Sequence, residues 1–295
     1  MRPVALLGIA AAALAASLAL SAAYDGRGPT VVTVDGLRLA CGDMHTHLFP
    51  SFDARVHPHD FLATLQRRNN DFVVVTDHNT AFGGDLVKWW GGLAGFPILV
   101  ITGEEVTTAS WHVGALGIRT TVSRWLPLNE TLEEIRRQGG IAIINHPAAR
   151  YHRNVLPVFE NGKADGYEWV NTAVAFEGKH REVEEFTAIL QGLGLYNDTL
   201  KIGVSDSHFA DGLGEATTCV LVPELTEAEV LKALRERRNA VAWEGRFHAQ
   251  EPWASKLNAN PEALEKIRFD WPLPAQAAAL VFIALMAAAL FLRRV

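Results

Sequence analysis

The chain has 295 residues, of which 49% are hydrophobic and 20% are charged, with 27 Lys and Arg against 33 Asp and Glu. This composition excludes a disordered or low-complexity protein, and with a net charge of −6 no nucleic-acid binding is expected from charge. Two cysteines are too few for a cysteine-based metal site or a disulfide scaffold. We expect one domain of catalytic size, with further segments at its ends.

The N-terminal segment, residues 1–23, has one Arg followed by a long uncharged apolar stretch. Ser21 and Ala23 have the spacing of small residues that a signal peptidase needs. We therefore expect a signal peptide, with an uncleaved N-terminal anchor as the alternative.

The C-terminal segment, residues 273–292, contains no charged residue and is followed by Arg293 and Arg294. Twenty residues at about 1.5 Å each cover the roughly 30 Å of a bilayer's hydrocarbon layer. The pattern predicts a transmembrane helix, and a buried terminal helix is the alternative. The paired Arg indicates a cytoplasmic tail, so we expect a membrane-anchored protein whose domain between the two ends is extracytoplasmic, on the periplasmic or extracellular side.

Between the ends, short apolar runs alternate with amphipathic stretches. The strand-like runs are 37–47, 72–78, 96–106, 112–118, 140–146, 166–171, 200–208 and 217–223. The helix-like stretches include 59–69, 129–139, 181–194 and 226–238. This alternation predicts an α/β fold with a largely parallel sheet, and about seven units suit a barrel better than an open sheet. The domain spans 30–250, and the proline-containing segment 251–272 is expected to be an irregular connector.

Cys41 and Cys219 each lie in or next to a predicted strand. An oxidising compartment would allow them to pair. Two buried thiols are equally compatible with the sequence, so both interpretations stay open.

Side chains of the metal-binding type stand at the ends of almost every strand-like run. They are His45, His47, Asp77, His78, Glu104, Glu105, His112, His146, Asp206 and His208. The carboxyl ends of parallel strands meet at one rim, where active sites form. Imidazole together with carboxylate suits Zn²⁺, Mn²⁺ or Fe²⁺. The sequence therefore predicts a metal centre.

Side chains of a strand alternate between its two faces, which sorts these candidates. His45 and His47 can bind one ion together, and so can Asp206 and His208. Only one residue of each adjacent pair, Asp77-His78 and Glu104-Glu105, should face inward. A helix cap or an ordinary polar contact is the alternative for any one of these residues, and it is the default for His57, His59, His152, His180 and His248.

The order of the motifs resembles a known family. The sequence has DMHTH (43–47), TDHN (76–79), GEEVTT (103–108), HVGALG (112–117), NHP (145–147) and SDSH (205–208). This order is similar to that of the PHP (polymerase and histidinol phosphatase) metallohydrolases, over about residues 40–245. The resemblance implies a distorted (βα)7 barrel that holds a cluster of two or three divalent ions.

The resemblance also implies which residues hold each ion. The first ion would have the ligands His45, His47, Glu105 and Asp206. Glu105 matches the Gly-x-Glu-Val pattern of the family, and it would bridge to a second ion with the ligands His112 and His146. The third would have His78, His208 and Asp53. Asp53 is the best match where the family's Ser-Asp-Gly is missing, and His57 or His59 are alternatives.

A metal cluster of this kind favours hydrolysis by a metal-bound water, and the resemblance implies a phosphoesterase with a small, phosphorylated substrate. Asp206 and His208 are candidate helpers in proton transfer. Arg150, Arg153 and His152 follow a ligand-bearing strand and are candidates for substrate binding, the alternative for the Arg side chains being ordinary solvation. Two other functions stay open: an ester or carbamate hydrolase with the same metal site, and a non-catalytic membrane-tethered metal-binding module.

The tryptophans offer a further choice. Trp111 next to His112, and Trp89 and Trp90 after the second strand-like run, either line an apolar pocket or belong to the core.

Overall fold

The computed structural model describes residues 29–148 and 152–268. Its strands are β1 (Val32–Val34), β2 (Leu37–Asp43), β3 (Phe72–Val75), β4 (Leu99–Thr107), β5 (His112–Leu116), β6 (Ile141–Ile144), β7 (Gly166–Asn171), β8 (Leu200–Val204), β9 (Thr217–Val222), β10 (Asn239–Trp243) and β11 (Arg246–His248). Its helices are α1 (Pro58–Arg67), α2 (Phe82–Ala94), α3 (Leu128–Arg137), α4 (His152–Glu160), α5 (Thr172–Phe176), α6 (His180–Gly192), α7 (Glu227–Arg235), α8 (Trp253–Asn258) and α9 (Pro261–Ile267).

One sheet contains all eleven strands, in the order β11-β10-β9-β2-β3-β4-β5-β6-β7-β8, with β1 paired to β2. Strands β3, β8 and β9 are buried along their whole length, as their near-continuous apolar runs predicted. The helices pack against this sheet through one apolar side. In α7, for example, Val230, Leu231 and Leu234 are buried, and the N-cap Thr226 accepts a hydrogen bond from the Glu229 backbone N–H.

The predicted seven-unit barrel with a largely parallel sheet is wrong. The sheet of the structure is mixed and curves into a half-barrel. The pairs β2-β3, β3-β4, β6-β7 and β7-β8 are parallel, whereas β4-β5, β5-β6 and the pairs that β9 makes are antiparallel. Only residues 108–111 connect β4 to β5. A crossover helix does not fit in so short a connection, so the chain turns back as a hairpin.

The two halves of the sheet also approach each other across its open side. Thr46, after β2, forms an isolated parallel bridge with Ser207, after β8. The buried Asp43 carboxylate accepts hydrogen bonds from the backbone N–H groups of Ser205 (3.0 Å) and Gly214 (2.8 Å). The segments that carry the predicted ligands after β2 and β8 are thereby fixed side by side.

At the opposite end of the sheet, α9 is attached to the domain by a buried ion pair. Lys266 Nζ lies 2.9 Å from Asp71 Oδ2, and Arg38 Nη2 lies 2.8 Å from Asp71 Oδ1. The region after residue 250, expected as an irregular connector, thus contains two helices within the compact unit Pro29–Ile267.

Cys41 and Cys219 face each other on the antiparallel pair β2-β9 and are joined by a disulfide. The sequence left the pairing open, and the structure decides it in favour of the bond.

The prediction of a C-terminal transmembrane helix is wrong for this structure, and the membrane-anchored, extracytoplasmic location inferred from that helix loses its basis. Among the described residues, no helix combines the length and the apolar character needed to cross a bilayer. The longest of them have 13 residues, about 20 Å, and bury only one side. The predicted segments 1–23 and 273–292 lie outside the described residues.

Candidate metal centre

All nine side chains predicted as metal ligands lie at one rim of the sheet. They are His45, His47, Asp53, His78, Glu105, His112, His146, Asp206 and His208. Most of them follow the carboxyl ends of β2, β3, β6 and β8 or lie near the end of β4. His112 begins β5, and because β5 is antiparallel to β4, its first residue reaches the same rim.

Four atoms form the first candidate metal position: His45 Nε2, His47 Nε2, Glu105 Oε2 and Asp206 Oδ1. Each imidazole nitrogen lies 3.2–3.4 Å from each of the two carboxylate oxygens, and the two nitrogens are 2.9 Å apart. Ligand atoms of a tetrahedral zinc ion, at about 2.0–2.2 Å from the metal, are about 3.3–3.6 Å from one another. The donor set and its spacing therefore fit a divalent ion.

The other oxygen of the same glutamate borders a second position. Glu105 Oε1 lies 3.0 Å from His112 Nδ1 and 3.1 Å from His146 Nε2. It also accepts a hydrogen bond from Asn145 Nδ2 at 3.1 Å. One carboxylate thus faces both positions, which is the arrangement of a bridging ligand.

A third group surrounds Asp53. Its Oδ2 lies 3.1 Å from His78 Nε2 and 3.2 Å from His208 Nε2, and His47 completes the group. Ser51 Oγ donates to Asp53 Oδ1 at 2.8 Å, which orients the carboxylate. His57 and His59, the alternatives to Asp53, are not members of the metal-binding groups found among the described residues.

Strand alternation sorts the two adjacent pairs as expected. Glu104 points away from the cluster, and its Oε2 accepts a hydrogen bond from Val122 N–H at 2.8 Å. Asp77 also points away and accepts from Leu48 N–H at 2.9 Å. Burial raises the pKa of each carboxyl to about 7, against weaker lowering by these backbone hydrogen bonds.

One geometric expectation is wrong: Asp206 and His208 do not face the same position. Asp206 Oδ1 lies beside His45 and His47, whereas His208 Nε2 lies beside Asp53. The alternation rule fails here because β8 ends at Val204 and Asp206 has a left-handed backbone with φ of 54°. His146 also has a positive φ, 30°, as is common for residues fixed in functional sites.

Two residues that the sequence analysis did not single out support the cluster. Glu168, fully buried on β7, has Oε1 2.5 Å from His45 Nδ1, and its Oε2 accepts from the His146 backbone N–H at 2.6 Å. Asn171 Nδ2 donates to Glu168 Oε2 and to Asp206 Oδ2. The available signal was the strand-like run 166–171, which has Asn171 at its end and Glu168 three residues before it.

The carboxylates Glu105, Glu168 and Asp206 converge on His45, and this buried negative charge needs a balancing cation. Burial alone would lower the pKa of His45, but the three carboxylates raise it well above its ordinary value. Burial would likewise lower the pKa of His146, but the neighbouring Glu105 raises this pKa to about 9. Protons on these histidines, or metal ions between them, supply the positive charge.

The carboxylates respond in the opposite direction. Burial would raise the pKa of Glu105, but His45 and the hydrogen bonds with His112 and His146 hold it well below its ordinary value. The pKa of Asp206 is lowered in the same way by His45 and His47, against burial. Both groups are therefore anionic and suited to bind a cation.

A cavity of about 400 Å³ opens beside the cluster. Its lining includes His146, Asp206 and His208, together with Trp111 and Lys179. Lys179 Nζ lies 2.6 Å from Glu177 Oε2, also at the cavity wall. Lys179 was not among the residues predicted from the sequence to bind substrate.

The residues predicted to bind substrate are placed only in part. Arg150 and the side chain of His152 lie outside what the structure describes, and Arg153 is exposed in the first turn of α4. The remaining histidines make ordinary contacts. His59 packs against Trp90 and Phe96, and the rings of His180 and His248 pack against Trp243 and Trp169.

Comparisons with known proteins agree with the family resemblance. The family model described as PHP-associated (PHP_C) matches residues 197–239, which carry β8 to the start of β10. The fold is similar to that of a two-domain protein from Bacteroides vulgatus containing a predicted PHP-like metal-dependent phosphoesterase. The TM-score is 0.61, with 20% identity over 78% of this chain and 72% of that one.

Two curated relatives come from Methanocaldococcus jannaschii, and both are uncharacterized. MJ1587 is 32% identical over 95 residues, 32% of this chain and 54% of that protein. MJ0417 is 25% identical over 175 residues, 59% of this chain and 68% of that protein. The matched region thus covers about half of the first relative and about two thirds of the second.

Proposed function

We propose that this protein is a metal-dependent hydrolase, and more narrowly a phosphoesterase. Its PHP-associated segment and its fold, which relate it to the PHP family, support this proposal. The observation that carries the proposal is the spacing of His45, His47, Glu105 and Asp206, whose donor atoms lie as close together as the ligands of one ion. The other carboxylate oxygen of Glu105 borders a second candidate metal position.

Each part of the rim has a role in this proposal. The first four side chains would hold one ion, Glu105 with His112 and His146 would hold a second, and His78, His208 and Asp53 would hold a third. Zn²⁺, Mn²⁺ and Fe²⁺ suit this mixture of imidazole and carboxylate. Bound ions of this kind supply Lewis acidity, which favours ionisation of water at neutral pH and neutralises negative charge on an ester oxygen.

The chain's own residues prepare the site for that chemistry. Glu168 holds the proton of His45 on Nδ1, so that Nε2 keeps its lone pair for the cluster. Asn171 orients Asp206 through Oδ2, and Asn145 orients Glu105. We keep Asp206 and His208 as proposed helpers in proton transfer, with Asp206 Oδ2 the oxygen directed away from His45.

The cavity beside the cluster suits a small substrate. Lys179 at its wall is a cation that could bind a non-bridging phosphoryl oxygen, together with Arg153 and the predicted Arg150 and His152. The activity of variants of these four residues would test their proposed role in substrate binding.

The experiment is substrate profiling of the metal-loaded full chain. Phosphate release is measured from mono- and diesters such as p-nitrophenyl phosphate, in parallel with hydrolysis of a naphthyl ester and a naphthyl carbamate. We expect activity on phosphate esters, lost in Glu105→Gln and kept in Glu185→Gln, an exposed carboxylate on α6. Hydrolysis of the ester or carbamate alone would replace the phosphoesterase by the second hydrolase class. No hydrolysis in either panel would leave a metal-binding module.

A further inference from the structure

A second cavity, of about 410 Å³, shares the lining residues Trp111 and His146 with the cavity that Lys179 lines. Its lining is Thr107, Thr108, Ser110, Trp111, His112, Trp125 and His146. Trp111 and His146 border both cavities, so they form a partition between them. Because His112 and His146 both lie within 3.1 Å of Glu105, this cavity also opens on the metal cluster.

The indole of Trp111 is fixed in place. Its Nε1 donates to the Asn145 carbonyl oxygen at 2.7 Å. Its backbone N–H donates to Thr108 Oγ1 at 2.9 Å, and its carbonyl oxygen accepts from the Thr108 hydroxyl at 2.6 Å. Asn145 in turn donates to Glu105. The wall of the cavity is therefore rigid and directly connected to the residue that faces two metal positions.

Trp125, the second indole of the cavity, is held out of the core. Trp125 is 64% exposed, and its backbone is left-handed with φ of 65°, which is uncommon for a bulky residue. Two backbone hydrogen bonds keep it there: Trp125 N–H to the Thr107 carbonyl at 2.7 Å, and Ala109 N–H to the Leu126 carbonyl at 3.0 Å. A left-handed backbone is strained for a bulky residue, and such strained residues cluster at functional sites.

We propose that this cavity binds a flat aromatic ring of the substrate, on one side of the bond that is hydrolysed. The inference rests on the proposed function and names its substrate class: esters whose alcohol part carries an aromatic ring. Indoles favour planar rings through edge-to-face and offset-stacked contacts. A ring held there places its attached ester beside His112 and His146. The remainder of the ester then faces the Lys179 cavity.

The test compares two substrates that differ in the flatness of one ring. Benzyl phosphate and cyclohexylmethyl phosphate both have primary alcohol leaving groups of similar reactivity and size. For the metal-loaded full chain, we expect kcat/KM to favour the benzyl ester roughly five- to tenfold. Trp125→Leu should abolish the preference, and Trp125→Phe should keep most of it, because both substitutes share the same backbone strain but only Phe is flat.

Trp89 is the matched control, since it is also exposed (62%) but lies on α2. Trp89→Leu should leave the benzyl preference unchanged. Melting temperatures of all three variants show whether they are folded.

Binding without turnover separates this inference from the proposed function. Benzylphosphonate and cyclohexylmethylphosphonate cannot be hydrolysed at the C–P bond, and their affinity for the metal-loaded protein is measured by calorimetry. A benzyl preference that Trp125→Leu removes supports the aromatic subsite, even if neither phosphate is hydrolysed and the phosphoesterase proposal fails. Equal affinities, no binding of either phosphonate, or a preference that survives Trp125→Leu would overturn the subsite, even if both phosphates are hydrolysed.

Discussion

At the scale of single residues, Glu168 decides which nitrogen of His45 is available to a metal. Its Oε1 lies 2.5 Å from His45 Nδ1, and the opposite nitrogen, Nε2, points to His47, Glu105 and Asp206. A carboxylate behind a ligating histidine fixes the tautomer and makes the imidazole a stronger ligand. Glu168 is therefore a positioning residue.

Glu168→Gln should weaken metal binding by about ten- to a hundredfold, because the neutral amide no longer fixes the proton of His45 on Nδ1. The measurement is competition for the metal with a chromophoric chelator. Glu185→Gln, which removes an exposed carboxylate from α6, should leave the affinity unchanged. Equal affinity in Glu168→Gln and the wild type would remove the positioning role.

Glu104 gives a prediction for pH. Burial raises its pKa from 4.5 to about 7, so the folded protein keeps this proton at pH values where the unfolded chain has lost it. The contribution of protonated Glu104 to the free energy of unfolding is fully present below pH 4.5 and is lost as pH rises through about 7. The cost to the wild type at pH 8 is about 3 kcal/mol, from about 1.4 kcal/mol per pKa unit.

Glu104→Gln removes this titration. Its free energy of unfolding, relative to that of the wild type, should therefore increase by about 3 kcal/mol between pH 4.5 and pH 8. Urea unfolding of metal-free protein at both pH values measures the difference. A difference between the two proteins that does not change with pH would show that Glu104 does not titrate in this way.

At the scale of elements, the sequence predicted the parts of the fold that have a clear period. The run 166–171 coincides with β7, and the helix-like stretch 226–238 contains α7. Helix α2 was missed because four of its 13 residues are glycine, which lowers helix propensity. The hairpin of β4 and β5 was missed because apolar runs do not carry strand direction.

The candidate ligands were predictable for the same reason, because the end of a strand is visible in the sequence. The side chains of a strand alternate between its two faces, so the odd or even position of a residue (its parity) predicts the face to which it points. Parity selected one residue from each adjacent pair correctly in space, with Glu104 and Asp77 pointing away. It failed after β8, where the left-handed backbone of Asp206 interrupts the strand. Glu168 escaped notice because it lies inside the strand-like run 166–171, whereas the other candidates lie at strand ends.

Two glycines provide opposite predictions for the same substitution. A Cβ on Gly42, in β2, would lie 2.3 Å from the Phe72 carbonyl oxygen of the paired strand, and this backbone cannot move aside. A Cβ on Gly92, in α2, meets nothing within 4 Å. Close approach of two strands thus requires glycine at the first position only.

Gly42→Ala should lower the free energy of unfolding by about 1–3 kcal/mol or more, as overpacking does. Gly92→Ala should raise it by about 0.5–1 kcal/mol, because alanine is the better helix former. Urea unfolding of the two variants gives both values. A stable Gly42→Ala variant would contradict the β2-β3 pairing.

At the scale of the whole molecule, the disulfide between Cys41 and Cys219 closes a loop of 178 residues. A bond that closes so long a loop restricts the unfolded chain strongly, which corresponds to about 5 kcal/mol in the entropic model. The bond joins β2, which leads to His45 and His47, to β9.

The double variant Cys41→Ala/Cys219→Ala should therefore unfold at lower urea concentration, with a loss of up to about 5 kcal/mol. Wild-type protein treated with a reductant should unfold like the variant. Identical unfolding of the wild type with and without reductant would contradict the bond.

The central claim is that residues at the ends of six strands form one metal cluster. The most direct test is elemental analysis of the full chain after chelation and reloading with a divalent metal. We predict more than one ion per chain in the wild type, a loss of the first ion in both His45→Ala and Asp206→Ala, and a smaller loss in Asp53→Ala. Equal metal content in the wild type and all three variants would contradict the claim.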